Sequence, residues 1–437
     1  MNETTNYDAI VIGAGVIGSS VALELSRKGL RTVSVDKLAT AGSGSTSSSS
    51  SVIRFNYSTA GGVAMAWESL FYWRDWDNHV DLPDEASLIE YVDCGLILLK
   101  SEGTNEAAFL PLYDRFNVRC EYLTQERINE RFPWIDMNRY GPPRRQDDPE
   151  FFADPSGLLE GGFFSPDAGY VNDPMLAAQN LADAAIAAGA EFRFRTEVAD
   201  IVQTDGRVAG VKLTDGTEIH APIVVNVAGP HSSFINDLAG VTEGMNIVPK
   251  PMRREVHLAP APRDLDYEND GIMVTDLDVG TYFRPEAGNN VLIGGVEPEC
   301  DPLEWVEDPD TVSLVPDTEE FELQAMRTAR RVIGMGVPSQ KRGVIGVYDA
   351  SQDWTPVYDQ SDLPGYYMAI GTSGNQFKNA PTAGRCMAEL ILAVEAGHDH
   401  DADPLVVDGP YTGNPIEMGG FSRRRVFDQS SPTNVLG

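Results

Sequence analysis

Three glycines at positions 13, 15 and 18, in the run GAGVIG, have the spacing of a phosphate-binding turn. Gly13 permits the tight turn, Gly15 lets the backbone approach a pyrophosphate, and Gly18 lets a helix pack closely on a strand. Asp36, about 20 residues further on, can accept hydrogen bonds from a ribose, which favours an unphosphorylated dinucleotide. The other residues able to do chemistry form no such pattern. Cys94, Cys120, Cys300 and Cys386 lie far apart with no CxxC pair, and of the histidines only His398 and His400 are close, inside the polar run GHDHDAD. Neither a metal site nor a redox dithiol is signalled.

A glycine turn of this kind works only between a strand and a helix, and its flanks read as both. YDAIVI, residues 7–12, is a short β-branched run. In SSVALELSRKG, Val21 and Leu25 recur at helical spacing, and RTVSV is a second strand running into Asp36. The helix start offers free N–H groups and a positive dipole end to phosphates. Residues 42–51, GSGSTSSSSS, are too polar to continue a strand, and VIRFNYS follows directly.

From this loop onward the chain resembles the D-amino-acid oxidase superfamily of flavoproteins, and within it the sarcosine-oxidase-like and glycine-oxidase-like branch, where a Ser/Thr/Gly-rich loop runs under the flavin. FFSPDAGYVNDPMLAAQNLADAAIAAGAEFRFRTEVADI is similar to the family's middle segment, which returns the chain to the cofactor domain through a helix. DGTEIHAPIVVNVAGPHSS resembles its NxAGxxS strand and turn, and YFRPEAGNNVLIGG a strand pair of its substrate domain. GYYMAIGTSGNQFKNAPTAGRCMAELI resembles the final strand, flavin-facing loop and closing helix. The resemblance implies an α/β fold, with a Rossmann-type FAD-binding domain and a second α+β substrate domain on a mixed or antiparallel sheet. The expected division is 1–90, 160–240 and 340–400 for a discontinuous FAD-binding domain and 91–159 with 241–339 for the substrate domain; the tail, 401–437, has no counterpart. The short runs EYVDCGLILLK, EVHLAP, TYFR and NVLIGG, set off by Gly, Pro or Asp, suit the second sheet.

The same resemblance implies the site. Contacts to FAD fall on Gly13, Gly15, Ile17, Gly18, Asp36, Lys37, Thr46, Ser47, Val198, Gly229, Gly346, Gly374 and Gln376. Arg54 and Lys378 stand where the sarcosine-oxidase-like enzymes clamp a substrate carboxylate, a task that suits a planar guanidinium and an ammonium. Tyr282 is implied to shape the substrate pocket, with Tyr57 and Trp354 as further aromatic walls. The implied reaction is oxidation of the C–N bond of a small N-methyl, secondary or D-amino acid, by hydride transfer to the flavin and hydrolysis of the imine. Two alternatives stand beside it. One is oxidation of a 2-hydroxy acid or polyol phosphate, which needs a base such as His that the motif loops lack; the other is a flavin subunit of a multi-chain dehydrogenase.

The chain also departs from the family pattern. Gly346 aligns with the cysteine that anchors flavin covalently in some members, and the serine-rich loop lacks the histidine used in others, so FAD is expected to be held non-covalently. Leu292 aligns, across a one-residue gap, with a lysine that promotes reaction with oxygen in the monomeric sarcosine oxidases. The expected acceptor is therefore oxygen or, given that leucine, a separate electron carrier.

The 437 residues allow two packed units, and no run approaches the roughly 20 apolar residues of a membrane span. The first strand has no basic region or small-residue cleavage site ahead of it, so the cytoplasm is the expected location. A net charge of −33 argues against nucleic acid as partner; a homo-oligomer or second subunit stays open. Seven of the 33 basic residues are lysine and the acid is spread along the chain, a composition suited to high salt, with an acidic patch for a basic partner as the rival. Thermal stability and activity are expected to rise as salt approaches about 1 M, where the Debye length falls to about 3 Å. A maximum of both in dilute buffer would contradict this.

Overall fold

The four residues Ala9–Ile12 are apolar on both alternating faces, as a strand covered on each side requires. In the computed structural model, which describes residues 7–427, this strand lies inside a six-stranded sheet. Its order is Glu191–Arg193, Thr32–Val35, Ala9–Ile12, Ile223–Asn226, Tyr366–Ile370 and Val357–Gln360, parallel throughout except for the last pair. Successive side chains point to opposite faces. Ala9 and Val11 pack with the helices Val16–Arg27, Pro174–Ala187 and Ala380–Glu395, whereas Ile10 and Ile12 join Ile201, Val211 and Ile219 of a three-stranded antiparallel meander. Helices Val16–Arg27 and Ala380–Glu395 touch so closely that a Cβ at Gly384 would lie 2.2 Å from Ser20 Oγ.

A second sheet holds nine strands among the described residues. Glu304–Trp305, Lys250–Pro260, Asn290–Gly295, Thr281–Glu286, Met273–Asp276, Leu96–Leu99, Gly161–Ser165 and Glu121–Thr124 follow in that order, and Gly343–Ala350 also pairs with Lys250–Pro260. Its one parallel pair joins Met273–Asp276 to Leu96–Leu99, so the sheet is mixed. One face buries Ile97, Leu99, Val274, Phe283 and Ile293 in a separate core with Trp134 and Val332. The helix Thr318–Arg331 packs against this sheet. It is capped by Asp317, carries Glu319 and Glu320 in its first turn and ends on Arg331. Arg331, fully buried, donates to Asp276 (2.6 Å) and Asp278 (3.1 Å), so the helix end is tied to the sheet by paired charges that burial would otherwise forbid. The opposite face carries Tyr282, Gly294, Gly346 and Tyr348, and it is this face that meets the first sheet.

Two segments differ from the division expected above. Gly161–Ser165 and Gly343–Ala350, placed with the cofactor-binding stretches, are strands of the nine-stranded sheet. Tyr91–Val92, the start of EYVDCGLILLK, pairs instead with Gly169–Val171, which also pairs with Val52–Ile53. Segments at a boundary between two sheets are assigned by their long-range partners, which local composition does not encode. Residues 401–427 are not a separate tail. The hairpin Val406–Asp408 with Pro415–Glu417 leads to Arg423, which is buried among Asp359, Asp362 and Asp401, while buried Glu68 accepts the N–H groups of Tyr411 and Thr412. Residues 428–437 lie outside the described range. Among the described residues no helix is long and apolar enough to cross a membrane.

Candidate active site

The glycine turn is fixed by contact on both sides. Gly13 has φ +109°, and a Cβ there would stand 2.4 Å from the carbonyl oxygen of Val227, so only glycine fits. The carboxylate of Asp36 accepts from Ala14 N and Leu38 N, each at 2.7 Å, and so holds the turn from the next strand while bordering the cavity it opens on. Thr46 Oγ1 accepts from Val16 N at 3.1 Å, setting the serine-rich loop against the helix start. Ser45 and Ser48 donate to the carbonyls of Val347 (2.6 Å) and Ile345 (2.7 Å), which staples the same loop to the second sheet.

Between these elements runs a cavity of about 600 Å³, within the range of small-molecule sites. Every residue named above for the cofactor, from Gly13 through Thr46, Val198 and Gly229 to Gln376, lines it. One end is bordered by Gly15, Asp36, Lys37 and Val198, the other by Gly346, Tyr348, Thr372, Gly374 and Gln376. At the first end Lys37 Nζ lies 2.9 Å from His231 Nε2 and 2.6 Å from Asp310 Oδ1, so its side chain bridges to a strap, Pro309 to Leu314, from the second sheet. At the other end, Gly374 has φ +68° and lies under the ring of Tyr348, where a Cβ would fall 2.0 Å from the ring.

Arg54, Lys378 and Tyr282 are outside the cavity wall but adjoin this second end. Arg54 follows the short strand Val52–Ile53 and donates to Asn56 O at 3.2 Å. Lys378 lies in the turn before helix Ala380–Glu395, with its backbone carbonyl bonded by Trp73 Nε1 at 2.7 Å. Trp73 also stacks between Phe377 and Trp76, at 5.3 and 4.7 Å. Lys378 Nζ, buried, donates to Asn375 O (2.6 Å) and Tyr57 OH (3.2 Å). Burial first, and then the nearby Arg54 charge, hold its pKa well below that of a free lysine. Burial pushes the Tyr57 phenol up to about 12, against the pull of Arg54. Tyr282 donates to Ser50 Oγ at 3.0 Å, and its ring covers Gly294. Trp354 contributes a backbone carbonyl to Asn375 Nδ2 (3.0 Å).

Some participants escaped the sequence reading. Tyr348 stands two residues beyond Gly346 on one strand, so alternation along GVIGVYD could have found it. The strap carries no local signal. Leu292 lies on the same face as Tyr282, and directly across from it is Arg284, whose Nε donates to Ser50 O at 2.8 Å and whose Nη1 pairs with Glu286 at 2.9 Å. A cation thus stands one strand away from the position that lacks lysine.

A glycine turn opening a parallel sheet onto a long cavity, shared with a second, largely antiparallel sheet, defines a dinucleotide-dependent oxidoreductase of two-sheet design. A family model, DAO, FAD dependent oxidoreductase, matches residues 8–390, and the chain belongs to this family and takes FAD as its cofactor. It is 26% identical over 88% of its length to the FAD-dependent oxidoreductase domain-containing protein 1 of Bos taurus, covering 81% of that protein. It is also 26% identical to the glycine oxidase of Geobacillus kaustophilus, over 91% of this chain and 96% of that one. The structure of L-proline dehydrogenase from P. horikoshii superposes with a TM-score of 0.73 at 20% identity, covering 96% of this chain and 97% of that one.

The environment of Lys378 has a consequence for stability. Between its lowered native pKa and the unfolded value of about 10.4, the folded chain binds fewer protons at this group than the unfolded chain, so its contribution to stability rises with pH across that window. Lys378→Met should remove this slope and raise the melting temperature at neutral pH. An unchanged or lower melting temperature would contradict it.

Proposed function

We propose that the protein oxidises the C–N bond of a small amine that carries a carboxylate, an N-methyl, secondary or D-amino acid, using non-covalently held FAD. The observation that carries this reading is the meeting of Arg54 and Lys378, drawn from opposite ends of the chain, beside the end of the cavity bordered by Gly346 and Gln376. A guanidinium can take both oxygens of a carboxylate. The amine of Lys378, held toward neutrality by burial and then by Arg54, would regain its proton when that negative charge arrives. The clamp fixes which carbon of the substrate faces the cofactor, and the tyrosines 57, 282 and 348 exclude water around it. FAD supplies a two-electron acceptor: a hydride leaves the carbon next to nitrogen, the nitrogen lone pair forms the imine, and water then splits it to carbonyl and amine.

The 26% identity to a glycine oxidase supports an amino-acid-like substrate. The hydroxy-acid alternative gains nothing: among the described residues the one histidine in the cavity wall, His231, is bound to Lys37 and Asp310 at the far end. Leu292 offers no charge to reduced oxygen species but Arg284 stands directly across from it, so we take either oxygen or a separate carrier as acceptor.

Anaerobic protein mixed in turn with sarcosine, dimethylglycine, proline, glycine, D-amino acids and 2-hydroxy acids should lose flavin absorbance with amino acids alone. Arg54→Ala and Lys378→Ala should each weaken the effective substrate about tenfold to a hundredfold, the loss of one charge-assisted contact of about 1.5–3 kcal/mol, with FAD content unchanged. Bleaching by hydroxy acids only, or normal affinity in both variants, would defeat the reading.

A further inference from the structure

Asp349 is a buried acid in the cavity wall that the reaction above does not use. It closes the strand Gly343–Ala350, next to Tyr348, at the end of the cavity away from Asp36. Its carboxylate accepts from Gly371 N at 2.7 Å and from the Thr372 hydroxyl, while its carbonyl receives Ser373 N at 3.2 Å. Gly371 and Gly374 have the left-handed backbones that glycine allows, with φ of 69° and 68°, and Ser373 between them has φ 49°, so Asp349 ties down a tightly turned loop that borders the cavity. Other buried acids are neutralised: Asp276 by Arg331 at 2.6 Å and Asp359 by Arg423 at 3.0 Å. Among the described residues no Lys, Arg or His forms an ion pair with Asp349. Burial accordingly raises its pKa, opposed only in part by the Thr372 and Gly371 hydrogen bonds.

A charge without a counter-ion in a water-poor wall acts strongly on any charge that appears beside it. The phosphate-binding turn and Asp36 occupy the other end, so the flavin ring has this end to fill. We propose that Asp349 sets the reduction potential of the flavin: its carboxylate raises the cost of the negative charge gained when the ring accepts two electrons, and so holds the potential below that of a neutral wall. This rests on the reading of the cavity given above. The electron pair leaves the substrate as hydride from the C–H bond next to nitrogen and passes on to the acceptor, so a lowered potential favours the second transfer at the expense of the first.

Asp349→Asn separates charge from architecture, because its amide oxygen can still accept from Gly371 N and its NH₂ can donate to Thr372 Oγ1. The midpoint potential of the bound flavin, measured by dye-coupled titration, should rise by at least about 30 mV, which is a tenfold change in the equilibrium for a two-electron couple. FAD content per chain should stay at the wild-type level. Asp349→Ser, neutral and smaller, should move the potential in the same direction. An unchanged or lowered potential in FAD-loaded variants would overturn the proposal, and so would loss of FAD from both variants, since Asp349 would then be holding the fold alone. A wild-type protein that takes up no FAD would overturn the reading of the cavity instead.

Discussion

Thr46 accepts the N–H of Val16 at the start of the first helix, while Ser45 and Ser48, one and two residues to either side, donate to carbonyls of the strand Gly343–Ala350. Through these three hydroxyls a single loop fastens the parallel sheet to the mixed one and leaves the cavity between them. The composition GSGSTSSSSS follows from that task. A loop that meets a helix end on one side and strand carbonyls on the other needs short side chains with hydroxyls that both donate and accept. It also packs closely on that strand, since a Cβ at Gly346 would lie 3.3 Å from Ser48 Cβ, and a larger residue in either place would push the two apart.

The second organising feature is the placing of buried charge. Far from the cavity, buried charge is paired: Arg331 with Asp276 and Asp278, Arg423 with Asp359. Beside the site two buried groups are not. Lys378 sits beside another cation, and Asp349 has hydrogen-bond donors but no counter-ion among the described residues. Both arrangements cost stability in the empty protein, and both are what a site needs if its charges are to respond to an anion or an electron pair arriving there. The same contrast separates residues that hold the fold from residues that are free to act.

How far this was legible in the chain depended on distance in sequence. GAGVIG, the following helix and Asp36 could be read directly because turn, periodicity and acid lie within one strand–helix–strand unit. Arg54 and Lys378 are ordinary basic residues in their own segments, and their pairing emerged only through resemblance, since it is made by Val52–Ile53 and the Trp73–Phe377 stack meeting in the fold. Tyr348 was readable in principle from strand alternation. The membership of Gly161–Ser165 and Gly343–Ala350 in the mixed sheet, and the docking of residues 401–427 through Arg423, were not, because each is decided by partners far along the chain. The strap carrying Asp310 has no pattern of its own and is placed by partners distant in sequence, Lys37 and His231 at Asp310 and Arg253 at Ser313.

On the reading proposed above, the two cations beside the cavity orient a carboxylate toward the cofactor. A crystal structure of the FAD-loaded protein with a non-reactive carboxylate analogue of an N-methyl amino acid tests it most directly. Carboxylate oxygens are expected at hydrogen-bond distance, about 3 Å, from both Arg54 and Lys378, with the flavin ring between the serine-rich loop and Gly346 and no covalent link. A carboxylate bound elsewhere, with Lys378 still engaged solely by Asn375 and Tyr57, would contradict it.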